Sequence, residues 1–526
     1  IAYRLVQSRY EPVWEQHRFV DIPLSRETSV QKEIRYSWNL SKLKLVPEDV
    51  LEYFAEVFDN DAVRGPKTAR SPIYLLRLPS LEEVFTDLEA GHEEAVQDLK
   101  QAAEETKELK EKIESVNQDL KKNKDVDWQQ KKKMEETARR YQKLQQKLDE
   151  VQSKLDNIVQ QMQQQQVLSP ETMEKYLELQ QMFEQLGSEE LQNALNRMQQ
   201  AMQSLNREQL QQALQQIQFS EERFRQSIER TLNLLKRIQI EQKLDELKKR
   251  SEELAAEQKQ LEEEAAQTEN TPRKLEELAR KQEDLRKKLE QLQEKSADVQ
   301  NRMEEFFTEM PADKLNDLNR LLEQQQLGRK MNEAAQQLRW GQTQQARQAQ
   351  QEVQQQLQNF ADKVDALQQE MLQQQAQQAM NEMRKAVENL LELSKREEAL
   401  KEQSKNSPQN SPQLRQNAQD QMRVIQELGN VVNSLNELAQ KSFAVTPEMG
   451  KAIGEALAKM QSAMRALDFR SGGMASQEQG GAMAALNKAA VSVQNALQAM
   501  MQQGSGLGGG LLGQLQSLAG QQMSLN

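Results

Sequence analysis

No cysteine occurs in the 526 residues, and only two histidines do, His17 and His92. The first absence excludes disulfides, thiolate nucleophiles and cysteine-ligated metals, and it is compatible with an extracytoplasmic location. The two histidines lie far apart in sequence and outside any ligand-spaced motif, so each is expected to be a solvated or partly packed residue. Aromatic residues are 4% and hydrophobic residues 37%, against 29% charged, with a mean hydropathy of -0.90. That is too little apolar material for a thick enzyme core, but enough for the narrow seams of long helices. No run of about eighteen or more apolar residues exists to span a bilayer. A basic excess is missing as well. The net charge of -12 and pI near 5.2 argue against a nucleic-acid partner, because phosphate rewards a cationic surface.

Catalytic signatures are equally scarce. The Gly-rich run GSGLGGGLLG (504–513) lacks the Lys-Ser/Thr pair that would neutralise phosphate and hold magnesium, and it reads as a flexible link or turn. Neither G-x-S-x-G nor H-E-x-x-H occurs. Asp59, Asn60 and Asp61 offer oxygens to calcium but lack the alternating ligand set of a calcium loop, and they read as a strand-end turn. Lys121, Lys122, Lys124 and Lys131–Lys133 around Trp128 suit either an anionic surface or a solvated hairpin tip, and the tip is favoured. The residues therefore point to no catalytic group, no metal site, no cofactor and no small-molecule substrate.

What is present is a change of period. Residues 1–79 read as β, with strands at 2–6, 17–24, 32–40, 49–59 and 71–78, a partial sandwich whose remaining strands are expected upstream of Ile1. In the fourth, Leu51, Tyr53, Ala55 and Val57 alternate with Glu52, Phe54, Glu56 and Phe58, which predicts one core-facing side. Pro79 ends the last strand and Ser80 caps the first helix. Leu99, Ala102, Thr106, Leu109, Ile113, Val116 and Leu120 then follow the three- and four-residue steps of a coiled-coil seam. After KKNKDVDWQQ (121–130), Met134, Tyr141, Leu148, Leu155 and Met162 recur every seventh residue, predicting a helical hairpin. A second hairpin folds at TENTPR (268–273), where Pro272 can open a helix. It sets Leu261 against Leu278, Leu254 against Leu285 and Leu247 against Leu292, and it buries Gln258 beside Gln282 as a register-fixing polar pair. Ser169–Pro170, Gly187–Ser188, Pro311, SPQNSP (407–412) and TPE (446–448) punctuate the rest.

Three units share a pattern: RMQQAMQSL (197–205), KMNEAAQQL (330–338) and KMQSAMRAL (459–467), followed by Ala213, Ala346 and Ala475. They read either as a true repeat of short helical pairs separated by coiled-coil arms, or as chance similarity between Gln-rich helices. Their methionines, Met198, Met202, Met331, Met460 and Met464, suit helix interfaces, and they are the best candidates for a partner-contact surface because Met-rich faces adapt to varied helices. Phe306, Phe307, Met310, Pro311 and Trp340 beside Gly341 are expected to pack locally at helix junctions.

The fold class expected is mainly α: long antiparallel coiled-coil hairpins and helical bundles, preceded by a partial immunoglobulin-like β-sandwich. The divisions are 1–79 (sandwich), 80–167 (first hairpin), 168–218 (short helices), 219–310 (second hairpin), 311–444 (Gln-rich helices) and 445–526 (tail). DVLEYFAEVFDNDAVRGPKTARSPIYLLRLPSLEEVF, the Gln-rich helices and MASQEQGGAMAALNKAA (474–490) together resemble an uncharacterised family of large bacterial envelope proteins. The resemblance implies N-terminal transmembrane helices, then a β region, then a long Gln-rich coiled coil, and hence a fragment whose anchor lies upstream. It implies a location in the bacterial cell envelope, on the outer side of the inner membrane, and no residue-level activity. Three functions follow: a membrane-tethered scaffold binding itself or protein partners through helices, a chaperone-like clasp for peptides or helices, or an enzyme. The first is expected, with a highly helical, elongated chain in solution.

Overall fold

The computed structural model describes residues 1–7, 19–22, 36, 38, 40–43, 48–59, 63, 65–122, 128–165, 167–184, 193, 196–201, 207–267, 271–306, 310–408 and 411–505. Two compact units divide the chain, 1–91 and 92–526. The first holds β1 (Ala2–Gln7), β2 (Val20–Asp21), β3 (Val50–Phe54), β4 (Glu56–Phe58), β5 (Thr68–Arg70) and β6 (Tyr74–Arg77). An antiparallel sheet runs β2-β1-β3-β6, and β4 pairs with β5 as a separate ribbon. Register places Leu51 between Leu5 and Leu76, and Tyr53 between Tyr3 and Tyr74. Since alternate residues share a face, Tyr3, Leu5, Leu51, Tyr53 and Leu76 form one small core with Ile22, Trp38 and Leu43.

Two expected strands are corrected. The run 49–59 breaks at Ala55, whose N–H donates to Ser71 Oγ at 3.0 Å and whose carbonyl accepts from Ser71 N–H at 2.9 Å. That exchange passes the chain from one sheet to the other, so Val57 is exposed instead of sharing the face of Leu51. In the run 32–40, Tyr36 and Trp38 lie outside any strand and Leu40–Leu43 forms a 3-10 turn; the rest of that run lies outside the described residues. Trp38 lays its ring near Tyr3 and Tyr53, at 5.0 and 5.8 Å, filling the core without strand alternation. The β5 strand was not anticipated; Asp59 Oδ1 accepts from Lys67 N–H at 2.7 Å and closes its turn, while Asn60 and Asp61 lie outside the described residues.

Helices follow: α1 (Leu81–Lys122), α2 (Trp128–Gln165), α3 (Pro170–Glu184), α4 (described over 196–201), α5 (Arg207–Gln267), α6 (Pro272–Glu304), α7 (Ala312–Gln324), α8 (Leu327–Arg339), α9 (Thr343–Asn406), α10 (Pro412–Ala439), α11 (Pro447–Asp468) and α12 (Gly472–Ser505). Ser80 opens α1 with a capping box, Oγ accepting from Glu83 N–H while Glu83 Oε2 accepts from Ser80 N–H. Proline is the first residue of α3, α6, α10 and α11, where its missing N–H costs nothing.

In the second unit α1 and α2 form the expected hairpin. Its ion pairs, Lys112–Glu136, Arg140–Glu108 and Lys154–Asp98, climb one helix as they descend the other. Leu99, Ala102, Thr106, Leu109, Ile113 and Val116 are buried, as are Met134, Tyr141, Leu148, Leu155 and Met162. The second hairpin has the expected register. Gln258 Nε2 donates to Gln282 Oε1 at 3.0 Å and Gln282 Nε2 donates back at 2.7 Å. Leu247, Leu254, Leu261, Leu278, Leu285 and Leu292 all belong to one buried cluster.

Neither hairpin stands alone. The pairs Lys110–Glu222 and His92–Leu235 lay α5 antiparallel to α1. Lys248–Asp365 and Arg347–Glu262 lay α9 antiparallel to α5, and Arg339–Glu276 sets α8 against α6. In the middle bundle each of α5, α6, α8 and α9 packs on the next, and α9 returns to α5. In the last bundle α9, α10, α11 and α12 do the same. Earlier in the chain α3 packs on both α2 and α5, and α1 is hydrogen-bonded to α5, which makes a first bundle of α1, α2, α3 and α5; α5 and α9 therefore each serve two bundles. Neither contains Gly or Pro, so nothing stops them. The expected division at 218/219 falls inside α5, whose buried Ala213, Leu214, Ile217, Phe224 and Ile228 keep the helical period through it.

The two later bundles superimpose in sequence once a shift is allowed. Gln258 and Gln282 correspond to Glu397 and Gln421, at 397 − 258 = 139 and 421 − 282 = 139. Gln350 corresponds to Gln479 at 479 − 350 = 129. At that second shift the turns closing α8 and α11 carry the same hydrogen bonds: Trp340, Gly341 and Gln342 donate to Gln336, Leu338 and Gln337, and Phe469, Arg470 and Ser471 donate to Arg465, Leu467 and Ala466. Both are Schellman turns, with φ of 74° at Gly341 and 56° at Arg470. Arg470 bears about 1 kcal/mol of left-handed strain that Gly341 avoids. At Gly472 a Cβ would run into the Ser404 carbonyl oxygen, so glycine lets α12 start against the end of α9.

Candidate functional site

Met198, Met331 and Met460 are fully buried in bundle interiors, and Met464 is half-buried. Met331 on α8 and Met460 on α11 turn their thioethers into the two later bundles, where they help to close each into four helices. Met202 lies outside the described residues, as do His17, Phe307, Gly187, Ser188 and residues 506–526. Trp128 is 72% exposed with Lys132 Nζ 5.3 Å from its ring centre, and Lys133 pairs with Asp119, the geometry of a solvated tip. Phe306 packs under the Arg237 guanidinium at 4.6 Å. Trp340, expected to pack, is 70% exposed, because the Schellman turn carries its ring past the last core position, Leu338.

His92 is the clearest revision. It is wholly buried, not solvated. Its Nε2–H donates to the Leu235 carbonyl at 3.2 Å, and Nδ1 lies 2.8 Å from the Tyr176 hydroxyl, which donates to Gln242 Oε1 at 2.6 Å. One helix turn away, Ser169 caps α3 and gives both its N–H and Oγ–H to Asp245 Oδ2, at 3.1 and 2.9 Å. Lys175 Nζ meets Glu241 Oε1 at 2.5 Å, and Gln368 from α9 donates to Thr172 Oγ1 and the Glu241 carbonyl, both at 3.4 Å. A polar knot thus ties α1, α3, α5 and α9 together where the first bundle passes into the second.

The electrostatics of the knot follow from burial. Desolvation, then the carboxyls of Glu241 and Asp245, hold the Tyr176 hydroxyl well above its ordinary value, so it stays protonated and acts as a donor. Burial raises Glu241 while Lys175 opposes it. Burial raises Asp245 while the Ser169 donors oppose it. Such a network is suited to holding helices in one alignment, since each group left unpaired in low dielectric is expensive.

Two further polar layers cross the later bundles. In the middle one, Gln350 Nε2 adds a third bond to Gln282 Oε1 at 2.8 Å. In the last, Gln421 Nε2 donates to Glu397 Oε1 and Gln479 Nε2 donates to Gln421 Oε1 at 2.9 Å. All six residues are buried. The signal for Glu397 was present: Leu393, Glu397, Leu400 and Ser404 step by four, three and four, placing a carboxyl on the seam. For the His92 knot no local signal exists, because its partners come from distant segments. On the surface, a depression between Gln378 and Glu388 has α9 alone as its wall. Among the described residues no group of three His, Cys, Asp or Glu is gathered as a metal would need.

The chain is thus a tandem of helical bundles that share their long helices, preceded in sequence by a small antiparallel sheet. Comparison with known proteins adds no relative: no family model, no curated protein and no solved structure matches it.

Proposed function

We propose that this is a non-enzymatic structural protein, a spacer or scaffold of the bacterial cell envelope that is membrane-tethered in its full-length form and acts through helix-mediated contacts with protein partners. The observation that carries the reading is that α5 and α9 run unbroken from one bundle into the next. At 1.5 Å per residue, the 64 residues of α9 extend about 96 Å. Bending such a joint means breaking backbone hydrogen bonds, so the shared helix works as a strut. The envelope location and tether rest on the sequence resemblance; among the described residues no helix is long and apolar enough to cross a membrane.

Small-angle scattering of the isolated chain tests the spacer: an extended particle supports it, and a compact globule refutes it. Protease accessibility of the native protein in spheroplasts tests the location, with digestion only from outside as the expected result. The clasp reading is the weaker one, because three of the methionines it draws on, Met198, Met331 and Met460, are buried. Uptake of a hydrophobic dye by the folded chain would reverse that preference.

A further inference from the structure

The two later bundles carry the same three-residue layer with one difference, and the difference is chemical. In the middle layer Gln258 both accepts from Gln282 and donates to its Oε1, a reciprocal amide pair. In the last layer Glu397 stands at the position of Gln258. Its Oε1 accepts from Gln421 Nε2, but its Oε2 is buried without a hydrogen bond. The atom that donates in the middle layer is Gln258 Nε2, and its counterpart here is that oxygen. A carboxylate has no proton to offer the Gln421 oxygen; a neutral acid does. We infer that Glu397 is a proton-binding site: with a proton taken from solvent onto Oε2 it donates to Gln421 and closes the last bundle, and without it the bundle loosens.

The surroundings leave this carboxyl to itself. On its own helix, Arg396 pairs with Glu392 and Glu427, and the Lys401 stem lies against Gly480. On α10, Asp420 is held by Arg423. Between α11 and α12, Lys459 is held by Glu478. Burial pushes the Glu397 carboxyl up to about 7, with only the Gln421 hydrogen bond opposing. An unfolded glutamate titrates near about 4.3. Between those values the folded chain holds more protons than the unfolded one, so the bundle is fully stable below the window and loses stability as pH rises through it. Above it the loss is complete and constant. The site is independent of the scaffold reading.

Native-state hydrogen exchange on the full chain, from about pH 5 to about pH 8, tests the site, with protection taken relative to intrinsic rates. Protection of α10, α11 and α12 should fall by up to about tenfold per pH unit until about neutrality, while α6 and α8 stay level. Glu397→Gln restores the all-amide layer and should abolish the fall. Gln258→Glu should install it in α6 and α8. A flat profile in the wild-type last bundle overturns the inference, and so does a fall that survives Glu397→Gln. A Gln258→Glu chain with no new pH dependence would overturn the equivalence of the two layers on which it stands.

Discussion

Replacing Gln282 by leucine isolates what a buried amide layer contributes. The change keeps the side-chain volume but removes three hydrogen bonds, those with Gln258 in both directions and that from Gln350. Gln258 then has a buried donor and a buried acceptor without partners, and Gln350 Nε2 a third orphan. At about 1–3 kcal/mol for each unsatisfied group, with partial relaxation, the expected loss is about 3–6 kcal/mol, a large share of the roughly 5–15 kcal/mol that holds a domain. The triple variant with leucine at 258, 282 and 350 should recover most of that loss, since removing every partner leaves nothing unpaired. It should also loosen the register that the polar layer helps to fix. Urea unfolding followed by helical circular dichroism reads both stabilities, and exchange in α5 and α6 reads the register. A single variant costing less than about 1 kcal/mol, or a triple variant no more stable than the single, would refute the layer's role.

Met331→Ala and Met460→Ala occupy equivalent core positions and should each destabilise their bundle by about 2–5 kcal/mol; lost partner binding at unchanged thermal stability would instead favour the contact-surface reading. Gln377→Pro, at an exposed position of α9 between two bundles, should cost about 3 kcal/mol or more. It should also split one calorimetric transition into two, and a single unaltered transition would show that the helix does not couple the bundles. Tyr176→Phe deprives His92 and Gln242 of their shared hydroxyl and should cost about 1–3 kcal/mol. Its faster exchange should concentrate in α3, and an even loss across the chain would argue against a local tie.

Much of the helical region was legible because its signals are local. Heptad spacing named the buried faces of α1 and α2, and a turn at Pro272 put Gln258 beside Gln282, since the place where a hairpin folds sets which positions face one another. The caps at Ser80 and Ser169 were legible for the same reason. The expected strands 32–40 and 49–59 went astray at Trp38, which a small core took from outside any strand, and at Ala55, where the chain changed sheets. The spacing of Met198, Met331 and Met460 marked an apolar stripe, and a stripe looks the same whether a partner or the chain itself covers it; the structure buries these three inside the chain.

Period, punctuation and charge by themselves determined that the chain is helical, where its hairpins turn and which residues line each seam. Only the tertiary structure decided that α8 and α11 close those hairpins into bundles, that α5 and α9 belong to two bundles each, and that His92 and Glu397 lie in the dark. The reason is physical: a helix declares its own stripe, whereas burial of a polar group is settled by neighbours that arrive from a hundred residues away.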